Sequence, residues 1–187
     1  MPDNTTIGYA SNRLGDEACA AVQELRTGGK FVWPIYDSFD IFTADLKGNI
    51  LPQLTKEPGY DAEETESPKG DRMVFTSFKT GDLELYTMNL DRSDVKQITS
   101  DLGCEGGAFF SPHGTKLIWR APRTKTESDI KEYKDLLSEG LVMPNSMELY
   151  LANADGTAVK KLTDLGKANW APFFHPAENK IISYSNH

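Results

Sequence analysis

Three stretches of this chain align without a gap: DIFTADLKGNILPQLT (40–55), ELYTMNLDRSDVKQIT (84–99) and ELYLANADGTAVKKLT (148–163). The first two are 44 residues apart and the next pair 64, the same period plus a 20-residue insertion. Thirteen residues after each closing threonine stands a proline: Pro68 in SPKGD, Pro112 in SPHGT and Pro176 in HPAEN. Each leads into a short apolar run, MVFTS, LIWRA or IISYS, and IGYASNR at 7–13 matches the start of a fourth such run. Independent elements that keep their spacing three times over define a repeat architecture.

Each repeat reads as four short strands. Strand A, as in 61–67, ends at the Ser-Pro turn, and strand B follows at 73–77. Strand C alternates, with Leu83, Leu85 and Thr87 set against Glu84, Tyr86 and Met88. A tight turn at Lys47-Gly48 or Asp155-Gly156 leads into strand D, which ends in Leu/Ile-Thr. Gly48, Gly70, Gly114 and Gly156 supply the positive φ that such turns demand. Arg92 and Glu178 stand where a glycine is expected, so those two turns either change type or accept roughly 1 kcal/mol of strain.

A four-stranded repeat of about 40–45 residues is the pattern of a β-propeller blade. The segment GYDAEETESPKGDRMVFTSFKTGDLELYTMNLDRSDVKQIT resembles the repeat of the TolB-like β-propellers, D-x-E-P-x-x-SPDG-x-x-I-x-F-x-S-x-R-x-G-x-x-x-I-Y-x-x-x-x-DG-x-x-x-x-x-LT. The motif fixes turns and core, so it is specific for fold and weak for chemistry. The resemblance implies a non-catalytic binding propeller that meets protein partners, in a periplasmic or otherwise extracytoplasmic setting. TolB belongs to the Tol–Pal envelope system; its separate N-terminal α/β domain has no counterpart in this sequence, and no partner-contacting residue is carried across. Similar repeats also occur in oligogalacturonate lyases and in peptidase-associated propellers, which makes a carbohydrate- or peptide-processing enzyme the alternative.

The expected fold is all-β: one incomplete propeller domain over 1–187, in the order B-C-D, A-B-C-D, A-B-C-D, A-B. That is about three blades, whereas closed propellers use four to eight. Two completions stay open. The chain is a fragment of a larger propeller with no retained activity, or two protomers close a six-bladed ring about a two-fold axis. Two insertions, at about 14–36 and 122–146, fall between strands B and C and overhang one mouth of the channel. The second holds a helix, ESDIKEYKDLLSEG, started by Thr126 or Ser128, ended by Gly140 and striped with Ile130, Tyr133, Leu136 and Leu137. The first holds a weaker helix, DEACAAVQELRTGG, and the segments 31–36 and 141–144 are expected to anchor the insertions back to strand C.

Composition narrows the function classes. Against 20 basic side chains stand 28 acidic ones, a formal charge of −8, which disfavours a nucleic-acid partner. No apolar run nears the ~20 residues that span a bilayer, so membrane insertion is not expected. The opening MPDNTTIGYA has no signal-peptide pattern. Cys19 and Cys104 lack zinc-type spacing and are read as free thiols, with a disulfide between them left open.

The candidate site is the insertion-bearing mouth, where a protein partner or small ligand would bind. Alignment on the prolines places Asp61, Glu105, Asn169 and Trp170 near it, with Glu63 one layer down, aligned with Gly107 and Ala171. Carboxylates around a channel can hold a cation or the amines of a ligand. No cofactor is expected, and a divalent cation in the channel is left open. His187 ends a strand B at that mouth, where other copies carry Arg13, Lys79 and Arg123. His113 and His175 fall in A–B turns on the far face, so the three histidines form no cluster. No G-x-S-x-G elbow or Cys–His spacing is present, so no catalytic residue is assigned.

Overall fold

The computed structural model describes residues 1–15, 31–122 and 126–186. Cys19, Arg123, His187 and the helix expected over 16–29 lie outside the described residues.

The fold is a partial β-propeller, and the described residues are all-β apart from one helix. Blade I consists of β1 (Thr6–Ser11) antiparallel to β3 (Asp40–Asp45), with Ile50 bridging to Ala44 where strand D runs. Blade II is the four-stranded meander β4 (Asp61–Glu66), β5 (Arg72–Ser77), β6 (Glu84–Asn89) and β7 (Lys96–Gln97). Blade III repeats it with β8 (Gly106–Phe110), β9 (Lys116–Pro122), β11 (Met147–Asn153) and β12 (Lys160–Lys161). Blade IV holds β13 (Asn169–Phe174) and β14 (Ile181–Ser185).

Blades stack face to face, so the alternation in strand C feeds two cores rather than one core and solvent. On blade II, Val74 and Leu85 face Phe110, Leu117, Trp119 and Tyr150 of blade III. Met73, Phe75, Tyr86 and Met88 face Ile41 of blade I. Trp119, with 0% of its surface exposed, is the centre of the first cluster; its ring stacks on Tyr150 at 5.9 Å. The outer blades lack such cover: Tyr184 is 76% and Ile182 64% exposed on β14, and Ile7 is exposed on β1.

A polar latch recurs in each of the first three blades. The hydroxyls of Thr55, Thr99 and Thr163 accept from the amides of Ile41, Leu85 and Leu149, at 2.9, 2.8 and 2.9 Å. The same hydroxyls donate to Asp40, Glu84 and Glu148 on strand C. Backbone bonds then tie the next blade on, from Asp61 N–H to the Phe39 carbonyl and from Glu105 N–H to the Leu83 carbonyl, at 2.9 and 3.0 Å. The closing threonine of each repeat thus ties the end of strand D to strand C of its own blade, just before the chain crosses to the next.

Arg92 and Glu178 keep the turn type of their glycine counterparts and accept the strain. Arg92 has φ 71° beside 83° for Gly48 and 85° for Gly156, and Glu178 has φ 53° beside 69° for Gly70 and 68° for Gly114. The Arg92 turn is closed by the same i-to-i+3 amide bond, to the Asn89 carbonyl, as its two counterparts.

The second insertion holds α1 (Glu127–Ser138), started by a capping box in which Thr126 accepts from the Asp129 amide and Asp129 from the Thr126 amide. Gly140, at φ 70°, follows its C-cap Glu139. Tyr133 is the buried residue of its stripe and donates its hydroxyl to Asp82 in the short B–C turn of blade II. The anchoring segments behave differently from the expectation that each returns to its own strand C. They pair with each other: β2 (Trp33–Pro34) runs antiparallel to β10 (Leu141–Val142). The short B–C turn of blade II leaves the room, so insertions from blades I and III meet above it around Leu83, Phe78 and Tyr60.

Candidate functional site

Strand A carries a β-bulge in all three blades that have one. The register shifts between Ala62 and Thr65, between Gly106 and Phe109, and between Trp170 and Phe173. At the same repeat position Glu63, Gly107 and Ala171 take φ of 56°, 57° and 43°. Only one of the three is glycine, so blades II and IV hold a side chain in a conformation costing roughly 1 kcal/mol. A bulge re-aims what it carries. In blade II it turns the Glu63 carboxylate onto the next blade.

Glu63 Oε2 accepts from the Gly107 amide at 2.7 Å, and Oε1 accepts from Arg120 Nη2 at 2.7 Å. Arg120, on strand B of blade III, is only 5% exposed. Its guanidinium lies 5.5 Å from the Trp33 ring centroid and 5.8 Å from that of Trp170, and the two rings stand 5.1 Å apart, tilted by 54°. Burial works against the charge, and Glu63 together with Cys104 and Tyr60 more than restores it, so the Arg120 pKa lies above its ordinary value. Gly106 makes the room: a Cβ there would fall 2.2 Å from Glu63 Oε2 and 3.2 Å from both terminal nitrogens of Arg120.

Around this pair lies a cavity of ≈ 270 Å³, walled by Trp33, Ile35, Tyr60, Leu83 and Val142 with Glu63, Thr76, Cys104 and Arg120. Burial, then the Glu63 charge, pushes the Tyr60 phenol upward. Cys104 is a free, buried thiol pushed up to about 12 by burial, with Arg120 pulling the other way. Such a thiol is a poor nucleophile at neutral pH. Among the described residues no three metal-ligating side chains come together.

The residues expected at the mouth occupy different settings. Glu63 and Trp170 both contact Arg120. Asp61, Glu105 and Asn169 share one repeat position, buried at the blade seams. Glu105 accepts from the Trp119 indole N–H, and Asn169 Nδ2 donates to the Met147 carbonyl at 2.9 Å and to Glu148 Oε2 at 3.2 Å. Asp61 lies in a separate cavity of ≈ 490 Å³ between blades I and II, beside Lys79. Arg120, Trp33 and Tyr60 are the additions. Their signals in the sequence are a charge inside the apolar run LIWRA and a Gly-Gly pair, 106–107, in the facing strand.

Comparisons with known proteins come from sequence and from structure. No family model matches the chain. A TolB homolog of Chlorobaculum tepidum is 26% identical over 161 residues, 82% of this chain and 32% of that protein. An uncharacterized protein of Agrobacterium fabrum is 25% identical over 142 residues, 72% of this chain and 44% of the relative. The structure of a putative TolB from Agrobacterium tumefaciens superposes with TM-score 0.64 at 21% identity, over 98% of this chain and 55% of that one. This chain has the fold of the TolB-like β-propellers. It spans less than half the length of either sequence relative. No helix among the described residues is long and apolar enough to cross a membrane.

The seam acid Asp61 gives this TolB-like chain a pH signature. Burial raises its pKa from 3.8 to about 6, although the Ser77 and Thr55 hydroxyls bond to it; the nearby Asp40 charge adds to the rise. The native state therefore holds a proton that the unfolded chain has released, and stability falls as pH rises from about 4 through 6. Burial shifts Asp40, Glu64 and Glu66 the same way. Asp61→Asn imports the residue that blade IV uses at this position. Urea unfolding of this variant should show a gain of about 1–3 kcal/mol at pH 7.5 and little change at pH 4.5. An equal effect at both pH values would contradict a titrating Asp61.

Proposed function

We propose that this chain is a non-catalytic binding propeller, with its ligand or protein partner received at the insertion-bearing mouth. One observation carries the reading: the first insertion and blades II and IV all send side chains to a single buried guanidinium of blade III. Trp33, Glu63, Arg120 and Trp170 meet beside an open cavity, with Glu63 presented from a strained bulge. Aromatic walls with a few fixed polar groups are the usual make-up of a ligand pocket. The relatives named TolB support a binding role over an enzymatic one and an extracytoplasmic setting, while the buried Cys104 offers no activated nucleophile.

The test is a fragment screen followed through the indole N–H resonances of Trp33, Trp119 and Trp170. Hits are expected to move Trp33 and Trp170 and to leave the core residue Trp119 in place. Hits confined to the cavity beside Asp61 would contradict the mouth as the site.

The bare faces of the outer blades bear on assembly. In the isolated 187-residue chain a second copy supplies the missing cover, closing a six-bladed ring about a two-fold axis. Light scattering should then give twice the monomer mass of 20.8 kDa. A monomer at micromolar concentration would rule the ring out.

A further inference from the structure

We propose that the two-copy ring closes by strand exchange: β13 of one copy pairs with β1 of its partner, and β14 gives up its place. The proposal rests on the ring put forward above and names the strands that meet.

The outer blades carry complementary remainders. Blade IV holds strands A and B, whereas blade I holds B and C, with the bridge at Ile50 where D runs. Joined, they make one blade with a strand B to spare, so either β1 or β14 must yield. Among the described residues β1 pairs only with β3, which leaves its inner edge as an open seat for a strand A. β13 is such a strand, with its bulge at the repeat position used by β4 and β8.

Fit decides which strand B stays. Gly8, Val74 and Ile118 share one position of strand B, opposite Thr43, Thr87 and Leu151 of strand C. Ile182 holds the same place in β14, six residues after Pro176 as Val74 is after Pro68. Val74 packs against Ala108 of the following blade. Gly8 meets carboxylates there instead: a Cβ on it would lie 3.3 Å from Glu64 Oε1 and 3.8 Å from Glu66 Oε1. Ile182 in this seat would drive its branched side chain into both acids, so β1 keeps the seat. β1 is also fastened at its start. Asp3 accepts from the Thr5 and Thr6 amides at 2.8 and 2.9 Å, and a Cβ on Gly70 of the blade II turn would touch Pro2 at 3.7 Å. All five residues of β14, by contrast, are exposed. Releasing it gives up little burial, and β13 remakes its ladder with β1 of the partner, the low-cost route to a dimer.

The register follows from the repeat. Phe173 and Phe174, now opposite Ile182 and Ile181, come to stand opposite the partner's Gly8 and the partner's Ile7. Phe173 is 53% exposed in the single chain, and Gly8 has no side chain of its own to pack. A ring laid across a glycine on the neighbouring strand compensates for that loss. Ile7, 48% exposed on β1, then takes the place of Ile181 against blade III.

Hydrogen exchange on the full chain, followed from dilute monomer to concentrated dimer, reads the strands directly. Inner-edge amides of β1 should gain protection with concentration while β14 amides lose it, each by at least about tenfold. Phe173→Lys should weaken dimerisation at least about tenfold, and Tyr184→Lys, on the released strand, should leave it within about twofold. A dimer in which β14 gains protection, or in which neither strand changes, would overturn the exchange and leave the ring standing. Equal weakening by the two variants would do the same. A chain that stays monomeric in light scattering removes ring and exchange together.

Discussion

A single buried guanidinium adds, to seams that the repeat already closes, a tie between three blades and an insertion. Arg120 belongs to blade III, its carboxylate partner Glu63 to blade II, and the rings that flank it come from blade IV and from the insertion of blade I. A buried charge is tolerable only when paired and hydrogen-bonded, and removing one partner of such a pair typically costs 3–5 kcal/mol. The seams between blades are otherwise closed by apolar side chains and by backbone bonds from one strand A to the preceding blade, both of which repeat. The Arg120 cluster does not repeat, and it marks one end of the channel as different.

Several local departures from ideal geometry meet at that cluster. Glu63 takes the left-handed conformation that the repeat places at this position, and from the bulge its carboxylate reaches both the Gly107 amide and Arg120. Gly106 is bare because a Cβ would collide with that carboxylate. The two insertions pair over blade II because its own B–C turn is short, and their pairing holds Trp33 against the guanidinium. The bulge and the ribbon belong to the repeat and to the short turn; the bare Gly106 is what the ion pair itself requires.

The fold was legible in the sequence because its determinants are local. Ser-Pro turns, hairpin glycines and the closing threonine recur at fixed spacing, and each specifies a turn or a latch without reference to distant residues. Even the exceptions, Arg92 and Glu178, followed the repeat's geometry over their own backbone preference. The site was legible only in part. Glu63 and Trp170 could be placed at the mouth by alignment, but Asp61, Glu105 and Asn169 share a seam position that alignment cannot tell from a channel wall. Arg120 is the clearest omission. Its counterpart in blade II is Thr76, and nothing in one repeat indicates that a neighbour's bulge will present a carboxylate to it. Contacts that cross blades at positions where the repeat varies carry no periodic signal.

The most direct test is a double-mutant cycle between Arg120→Met and Glu63→Gln, read by urea unfolding at pH 7. If the pair is the tie between blades, each single change destabilises and the double mutant costs less than the sum, with a coupling of about 2 kcal/mol or more. Additivity within about 0.5 kcal/mol would mean that the two groups are neighbours without being partners, and the account built on them would fail.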